Sequence, residues 1–341
     1  MNRSPRLPWL LGSAGLLAAL LGWWIDPLRF RVAWTAGIGA WLEWPLGSLA
    51  LLMVHSLTGG RWGVAIGPAL LAGVFTLPLL IPALLPLLLH MHALYPWVHP
   101  AHRLPNGFYL NRPFFLIRGG IYLIVWFGLA ALMLLRRRRG RDPAAGFAGP
   151  GLLLLAITTT FAAIDLTLSL KPDFNSSIWG MVSATGSGLM ALAIATLLSA
   201  ATAQRETLAD LGKLLLGLVV LWAYLDFMQF LIVWESDLPS ESGWYLPRAS
   251  GVWLGAVVLI AAGHFLLPFA VLIFPRLQRS RMAIALVAGW LVLMEVLRVW
   301  WLVLPAVPHG LSWIAFAVAL AFAGLAAGLA RLAPRMEEAH A

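Results

Sequence analysis

The chain has 341 residues, of which 61% are hydrophobic and only 11% are charged, and its formal net charge is +9. Soluble proteins average about 25% charged residues, so this composition indicates a membrane protein. The absence of cysteine excludes disulfides, thiolate metal sites and iron–sulfur clusters held by this chain alone. The arginines fall in short segments between apolar stretches, as membrane topology requires, which argues against nucleic acid as a partner.

Apolar stretches predict ten transmembrane helices, because about 20 apolar residues cross the roughly 30 Å of hydrocarbon in a bilayer. We place them at 9–25, 32–54, 64–89, 114–135, 151–169, 177–201, 211–234, 249–274, 282–304 and 311–330. The first is predicted to be an uncleaved helix, since Trp23 and Trp24 are typical of an interface anchor and no small-residue cleavage site is evident. The sequence thus predicts an all-α polytopic membrane protein, with residues 1–341 forming one integral membrane domain.

The distribution of lysine and arginine predicts the orientation of these helices. With the N-terminus inside, most of the 23 Lys and Arg residues fall in cytoplasmic segments, including the run at 136–139. The segment after the seventh helix carries Glu235, Asp237 and Glu241 and falls outside. This bias predicts a multi-pass protein with both termini in the cytoplasm.

The third predicted helix contains prolines at every fourth position, Pro78, Pro82 and Pro86. Each removes a backbone hydrogen bond, so we expect this helix to be kinked or locally unwound. Two interpretations are open, a kinked helix shielded by its neighbours and a broken helix that lines a binding cavity.

Ionisable residues within the spans are the main functional candidates, because charges in hydrocarbon are costly. Asp165, Asp226 and Glu295 lie about 14–15 residues from the cytoplasmic ends of their helices, a shared depth of ~21–23 Å. Arg298 follows Glu295 by three residues, which predicts an ion pair on one helical face. The candidates for a proton path are Asp165, Asp226, His264, Glu295, Arg298 and Tyr224. Structural pairing, proton relay and contact with a quinone head group are all open interpretations.

A group of histidines lies near the outer end of the third helix, namely His90, His92, His99 and His102. They offer nitrogen ligands for a metal. However, His90 and His92 are two residues apart and so point to different sides of a helix, and no carboxylate lies between His90 and His102. We therefore predict no metal site, and no haem, because His264 is the one deeply placed histidine.

Several segments together resemble one family. They are 95–100 (YPWVHP), 108–118 (FYLNRPFFLIR), 159–170 (TTFAAIDLTLSL), 210–215 (DLGKLL), 221–245 (LWAYLDFMQFLIVWESDLPSESGWY) and 263–269 (GHFLLPF). The chain resembles the ActF membrane subunits of bacterial alternative complex III from about residue 9 to residue 305. It departs from the family pattern at Pro96, Asp226, Glu295 and Arg298, so a proton path drawn for the family does not transfer directly. The motif around Asp165 matches best.

This resemblance implies a fold like the NrfD and PsrC membrane subunits, with two four-helix bundles and two further helices. It implies a place in a respiratory quinol:electron-acceptor oxidoreductase of the bacterial inner membrane. The implied partners are an ActC-like subunit, other membrane subunits, periplasmic haem c and iron–sulfur subunits, and lipid. It implies no cofactor bound by this chain alone, with quinone or quinol placed in the complex. The matched outer-face residues are His92, Tyr95, His99 and Arg118.

These observations predict a non-redox subunit that supports assembly and proton transfer in an electron-transport complex. The alternative is a stand-alone secondary transporter of a small solute, which would show inverted repeats with paired broken helices. We find one proline-interrupted helix and no internal repeat. A membrane-bound transferase or hydrolase would need a nucleophile or metal cluster at the interface, for which the four histidines are the one candidate group.

Overall fold

The computed structural model describes residues 6–100, 104, 106–139, 142, 144–307 and 310–333. Within these residues it contains ten helices that are long and apolar enough to cross a membrane, and no β-strand. They are α1 Leu7–Ile25, α2 Pro27–Thr58, α3 Arg61–Leu89, α4 Arg112–Arg137, α5 Ala148–Leu170, α6 Trp179–Ser199, α7 Arg205–Ser236, α8 Gly251–Leu272, α9 Arg281–Ala306 and α10 Trp313–Ala330. The predicted all-α multi-pass fold is confirmed.

Two helices begin much earlier than the hydropathy pattern predicts. α2 begins at Pro27 rather than near residue 32, because Asp26 caps it by accepting a hydrogen bond from the Arg29 amide and proline suits the first helical turn. α7 begins at Arg205 rather than near residue 211. The first turns of both helices contain polar residues. The hydropathy pattern identifies only apolar stretches, so it does not include these turns.

The centre of the fold is the crossing of α2 and α6. α2 also packs against α3 and α5, and α4 packs against α5. On the other side, α6 contacts α7 and α9, and α8 lies against both α7 and α9. α1 and α10 form a close pair, and α10 also contacts α2. This arrangement agrees with two groups of four helices, α2–α5 and α6–α9, and two additional helices.

The α3 helix is interrupted, as its prolines predict. An α-helical part at Arg61–Val74 is followed by a 3-10 turn at Leu77–Leu79 and a second α-helical part at Leu80–Leu89. Thr76 at the break is fully buried, and its hydroxyl donates to the Gly73 carbonyl at 2.7 Å. The interruption is thus buried on the side of Thr76, whereas Pro78 and Pro82 are exposed on the other side, and both interpretations stay open.

The α8 helix contains a π-helical turn at Ala261–Leu266 that the sequence pattern does not predict. Trp290 of α9 donates its indole N–H to the Gly263 carbonyl in this turn at 2.7 Å. π-turns expose backbone acceptors and are frequent at functional sites. Here the turn contains His264, which is completely buried.

The helix ends form two faces of the molecule, one rich in basic residues and the other rich in aromatic residues. On the first, the basic face, Ser56 donates to Asp142 at 2.8 Å and Arg61 donates to Asp210 at 3.0 Å. At the other, the aromatic face, Arg248 donates to the carbonyls of Trp244, Trp301 and Leu302 and lies over the Trp244 ring. These hydrogen bonds of Arg248 hold the α7–α8 connection against the end of α9.

Candidate functional site

A cluster of five ionisable residues, four of them buried and one partly exposed, lies between α2, α7, α8 and α9. The cluster comprises Glu43, Asp226, His264, Glu295 and Arg298. Arg298 is at its centre: its Nη1 donates to Glu295 Oε1 at 2.6 Å, and its Nε donates to Asp226 Oδ2 at 3.1 Å. The same Nη1 lies 3.6 Å from Glu43 Oε1. The predicted Glu295–Arg298 pair is confirmed, but it is part of a larger network.

The π-turn of α8 places His264 against this network. His264 Nε2 lies 3.1 Å from Glu295 Oε2, although the atoms are not aligned as a hydrogen bond. The imidazole also packs on Trp222, with ring centroids 3.9 Å apart. Gly186 of α6 gives the network room, because a Cβ there would lie 2.6 Å from Glu295 Oε1 and 3.0 Å from Arg298 Nη1.

The charges of the cluster do not balance when every carboxyl is ionised. Three carboxylates face one guanidinium and one imidazole, which leaves a net charge of −2 with neutral imidazole and −1 with imidazolium. Uncompensated charge buried among transmembrane helices is costly. A neutral cluster therefore holds two protons beyond those of the guanidinium, shared among three carboxyls and His264. This excess of carboxyls is what a proton-accepting site requires.

Several cluster atoms have free hydrogen-bonding capacity within the described part of the chain. Glu43 Oε2, Arg298 Nη2 and His264 Nδ1 are buried without a hydrogen-bond partner. Such atoms are uncommon in folded proteins, and they mark positions where water or ligand atoms bind.

A small void extends from the cluster towards α4 and α5. Its volume is about 60 Å³, and Glu43 and Arg298 line it together with Trp126, Thr159 and Ser187. This volume accommodates about two water molecules. The Thr159 hydroxyl is buried without a protein partner. The void is mainly apolar, and a few polar side chains, among them Glu43 and Thr159, line it between the cluster and α5.

Asp165, on α5, belongs to a separate ion pair rather than to the cluster. Arg118 of α4 donates to both of its oxygens, with Nη2–Oδ1 at 2.7 Å and Nε–Oδ2 at 2.9 Å. The Tyr122 hydroxyl donates to Oδ2 at 2.7 Å. Arg118 also lies over the Tyr109 ring, with Cζ 3.7 Å from its centroid. Three donors contact this one carboxylate and join α4 to α5.

A larger cavity opens beside the cluster. Its volume is about 810 Å³, and its lining is mainly apolar and aromatic, from α7, α8 and the aromatic face. Asp226 and Arg298 reach it from the cluster, and Trp222 lines it too. The Trp222 indole N–H, like Arg298 Nη2, is buried without a partner. The cavity therefore combines an apolar wall with one partly exposed carboxylate, that of Asp226, whereas these two N–H donors are themselves buried.

The predicted candidates divide into three groups. Asp226, His264, Glu295 and Arg298 come together, whereas Asp165 pairs with Arg118. Tyr224 is more than half exposed, lines the large cavity and, among the described residues, makes no hydrogen bond to the cluster. Of the three carboxylates predicted to share one depth, Asp226 and Glu295 both bind Arg298, whereas Asp165 binds Arg118.

The outer-face residues of the matched segments have different surroundings. Tyr95 is buried and donates to the Leu166 carbonyl at 3.2 Å. Burial and the nearby Asp165 carboxylate raise the pKa of Tyr95, so it stays a donor. His92 and His99 are exposed, and His102 lies outside the described residues. In the described part of the chain, no three His, Asp or Glu residues converge as metal ligands.

Sequence reasoning did not identify Trp222, Tyr122 or Gly186 as site residues. Tyr122 follows Arg118 by four residues and therefore shares its helical face, a signal that was available. Trp222 and Gly186 carry no such signal, because their roles depend on how α6, α7 and α8 pack together.

Comparison with known proteins adds no family assignment: no protein-family model matches the chain, and no curated protein matches it.

Proposed function

We propose that this chain is a proton-handling subunit, without a redox centre of its own, of an alternative complex III-type quinol:electron-acceptor oxidoreductase. The observation that carries the proton-handling part is the buried cluster, in which three carboxyls share one guanidinium. The assignment to a complex rests on the segments that resemble ActF. In this proposal the basic face is cytoplasmic, both termini lie inside, and the membrane is the bacterial inner membrane.

The cluster offers a sequence of short proton transfers. Asp226 is partly open to the large cavity and bonds to Arg298, so it is the entry group from that side. Glu295 and His264, with Oε2 and Nε2 3.1 Å apart, exchange a proton once the two side chains rotate into hydrogen-bonding alignment. Glu43 faces the small void that extends to Thr159 and α5. Arg298 stays charged throughout and stabilises whichever carboxyl is ionised.

Purification from the native host in mild detergent tests membership of a complex. We expect haem c and iron–sulfur subunits to copurify, seen by mass spectrometry and by a reduced-minus-oxidised spectrum. A lone chain with a flat spectrum would contradict the proposal and favour the transporter alternative.

Turnover with proton uptake tests the role of the cluster. Glu295→Gln keeps the side-chain volume but removes a titratable group, and we expect proton uptake by vesicles oxidising quinol to slow about tenfold or more. Glu206→Gln, an exposed carboxyl at the start of α7, is the matched control. Equal rates in the two variants would contradict a proton role for the cluster.

The large cavity favours a second contact, with a quinone or quinol head group. Asp226 is the partly exposed polar group at the cavity wall and can accept a hydrogen bond from a quinol hydroxyl. This contact is compatible with quinol oxidation in an ActC-like partner, because it requires binding alone.

Binding of a short-chain quinone tests this contact through quenching of tryptophan fluorescence. Ala261→Phe adds a ring to a residue that lines the cavity, so we expect it to abolish quenching. Ala262→Phe is the same change at the next residue, which is exposed and does not line the cavity. Equal quenching in both variants would exclude the cavity as the binding site.

A further inference from the structure

Four arginines surround a pocket on the basic face, where α7 and α9 begin. The pocket has a volume of about 590 Å³ and is lined by Arg205, Arg276, Arg279, Ser280, Arg281 and Met282. We call it the arginine pocket. Its lining contains no carboxylate, so its charge is uncompensated at the pocket wall. Unlike the cluster around Arg298, the arginine pocket is polar and open to the surface.

Most guanidinium groups of the pocket form no ion pair or hydrogen bond with other described residues. Arg281 donates to the Ala203 carbonyl at 3.4 Å, a long contact. Arg205, Arg276 and Arg279 are exposed, and with the described residues they form no ion pair or hydrogen bond. The other ion pairs of this face, Arg61 and Lys213 with Asp210, lie elsewhere. Unpaired cationic groups that line a concave site favour the binding of an anion.

The starts of two long helices add to this charge. α7 begins at Arg205 and α9 begins at Arg281, so the positive ends of both helix dipoles are at the pocket. Helix starts alone do not define a site, but here they reinforce four guanidinium groups around one concavity.

Apolar side chains continue from the pocket along the membrane-facing surface. Phe274, Leu277, Met282 and Leu286 are all exposed, the last two by 71% and 62%. A soluble anion would use the arginines but would leave this apolar surface uncovered. An amphiphile with an anionic head would use both.

We propose that the arginine pocket binds the phosphate head of an anionic phospholipid, whose acyl chains lie over this apolar surface. Basic pockets between transmembrane helices on one membrane face are suited to such head groups. Four guanidinium groups can bind two phosphates bidentately, so a two-phosphate lipid should bind more tightly than a one-phosphate lipid. The proposal does not depend on the chain's place in a respiratory complex.

Native mass spectrometry of the full-length protein tests the proposal, with diphosphatidylglycerol, phosphatidylglycerol and phosphatidylcholine added in turn. We expect retention in that order. The double variant Arg276→Gln and Arg279→Gln should weaken retention of diphosphatidylglycerol about tenfold or more. The control pair Arg137→Gln and Arg139→Gln removes the same charge from the same face, at the end of α4, and should retain the lipid.

Three outcomes would overturn the proposal. Equal losses in the two double variants would mean general attraction to a basic face. Displacement of the lipid by inorganic pyrophosphate at equal concentration would mean that a soluble anion is the ligand. Retention of phosphatidylcholine as strong as that of diphosphatidylglycerol would mean that the pocket does not select an anionic head group.

Discussion

His264 and Glu295 face each other between α8 and α9, with Nε2 3.1 Å from Oε2 and both side chains completely buried. The other oxygen of Glu295 is held by Arg298 at 2.6 Å. The carboxyl is thus fixed on one side by a permanent cation and faces a titratable imidazole on the other. Because the pair joins the imidazole of α8 to the ion pairs of α9, we place it at the centre of the proposed proton path.

The first prediction concerns the cation of the cluster. Arg298→Met leaves the carboxyls of Glu43, Asp226 and Glu295 without their common partner. We expect the free energy of unfolding to fall by about 3–5 kcal/mol. Thermal unfolding in detergent measures this loss. Adding Glu295→Gln to Arg298→Met should recover part of it, and a double variant no more stable than the single one would contradict the charge argument.

The second prediction separates cluster geometry from folding. In Gly186→Ala, the new Cβ would lie 2.6 Å from Glu295 Oε1 and 3.2 Å from Glu43 Oε1. These are the ends of side chains, so the helices stay in place while the ion pairs shift. We expect normal expression but slower proton uptake. Gly188→Ala is the control, because the nearest atom to its Cβ, a methyl carbon of Leu218, is 3.8 Å away. Equal activity in both would contradict the prediction.

The sequence predicts the number and type of helices because each must cover a bilayer with apolar residues, a local requirement. It also predicts the Glu295–Arg298 pair, since residues three apart share a helical face. Both inferences depend on neighbours along the chain and need no knowledge of packing.

Lateral contacts could not be predicted in this way. Glu43 lies in α2, far along the chain from Arg298, and nothing in its own segment indicates a partner in α9. The three carboxylates share a predicted depth, yet Asp165 pairs with Arg118, whereas Asp226 and Glu295 both pair with Arg298. The π-turn that places His264 depends on Trp290 donating to Gly263 from another helix. Each of these features follows from tertiary packing.

The third prediction concerns the Arg118–Asp165 pair. A neutral Asp165 would tolerate asparagine, but three donors contact it here. Asp165→Asn would leave the Arg118 guanidinium buried without a counter-ion, at a cost of about 3–5 kcal/mol. Thermal unfolding should show this loss, with Asp173→Asn, in an exposed turn after α5, as the control. Unchanged stability would support the proton-path role for Asp165.

The fourth prediction concerns pH and the Asp142 carboxyl, which is outside the spans. Burial alone would raise its pKa, but hydrogen bonds from Ser56 and from the Ala144 and Ala145 amides outweigh this and lower the pKa below 3.8. A lowered pKa stabilises the folded state above the unfolded value and loses this effect as pH falls through the folded value. The melting-temperature difference between wild type and Asp142→Asn should therefore be small but constant near neutral pH and vanish in acid. A difference that grows in acid would contradict this account.

The last prediction concerns the central crossing of α2 and α6, which holds the two groups of helices together. In Gly47→Ala, the added Cβ would lie 1.8 Å from the Ser187 carbonyl oxygen, a backbone atom that cannot rotate away. The helices would have to separate, and small residues at such crossings are what permit close approach in membranes. We expect loss of expression or a melting temperature far below that of wild type. Gly67→Ala, in α3, has no atom within 4 Å of its Cβ and should be neutral or slightly stabilising, because alanine favours helix. Similar stability of the two variants would mean that α2 and α6 tolerate a wider separation and that the cluster beneath them does not depend on this crossing.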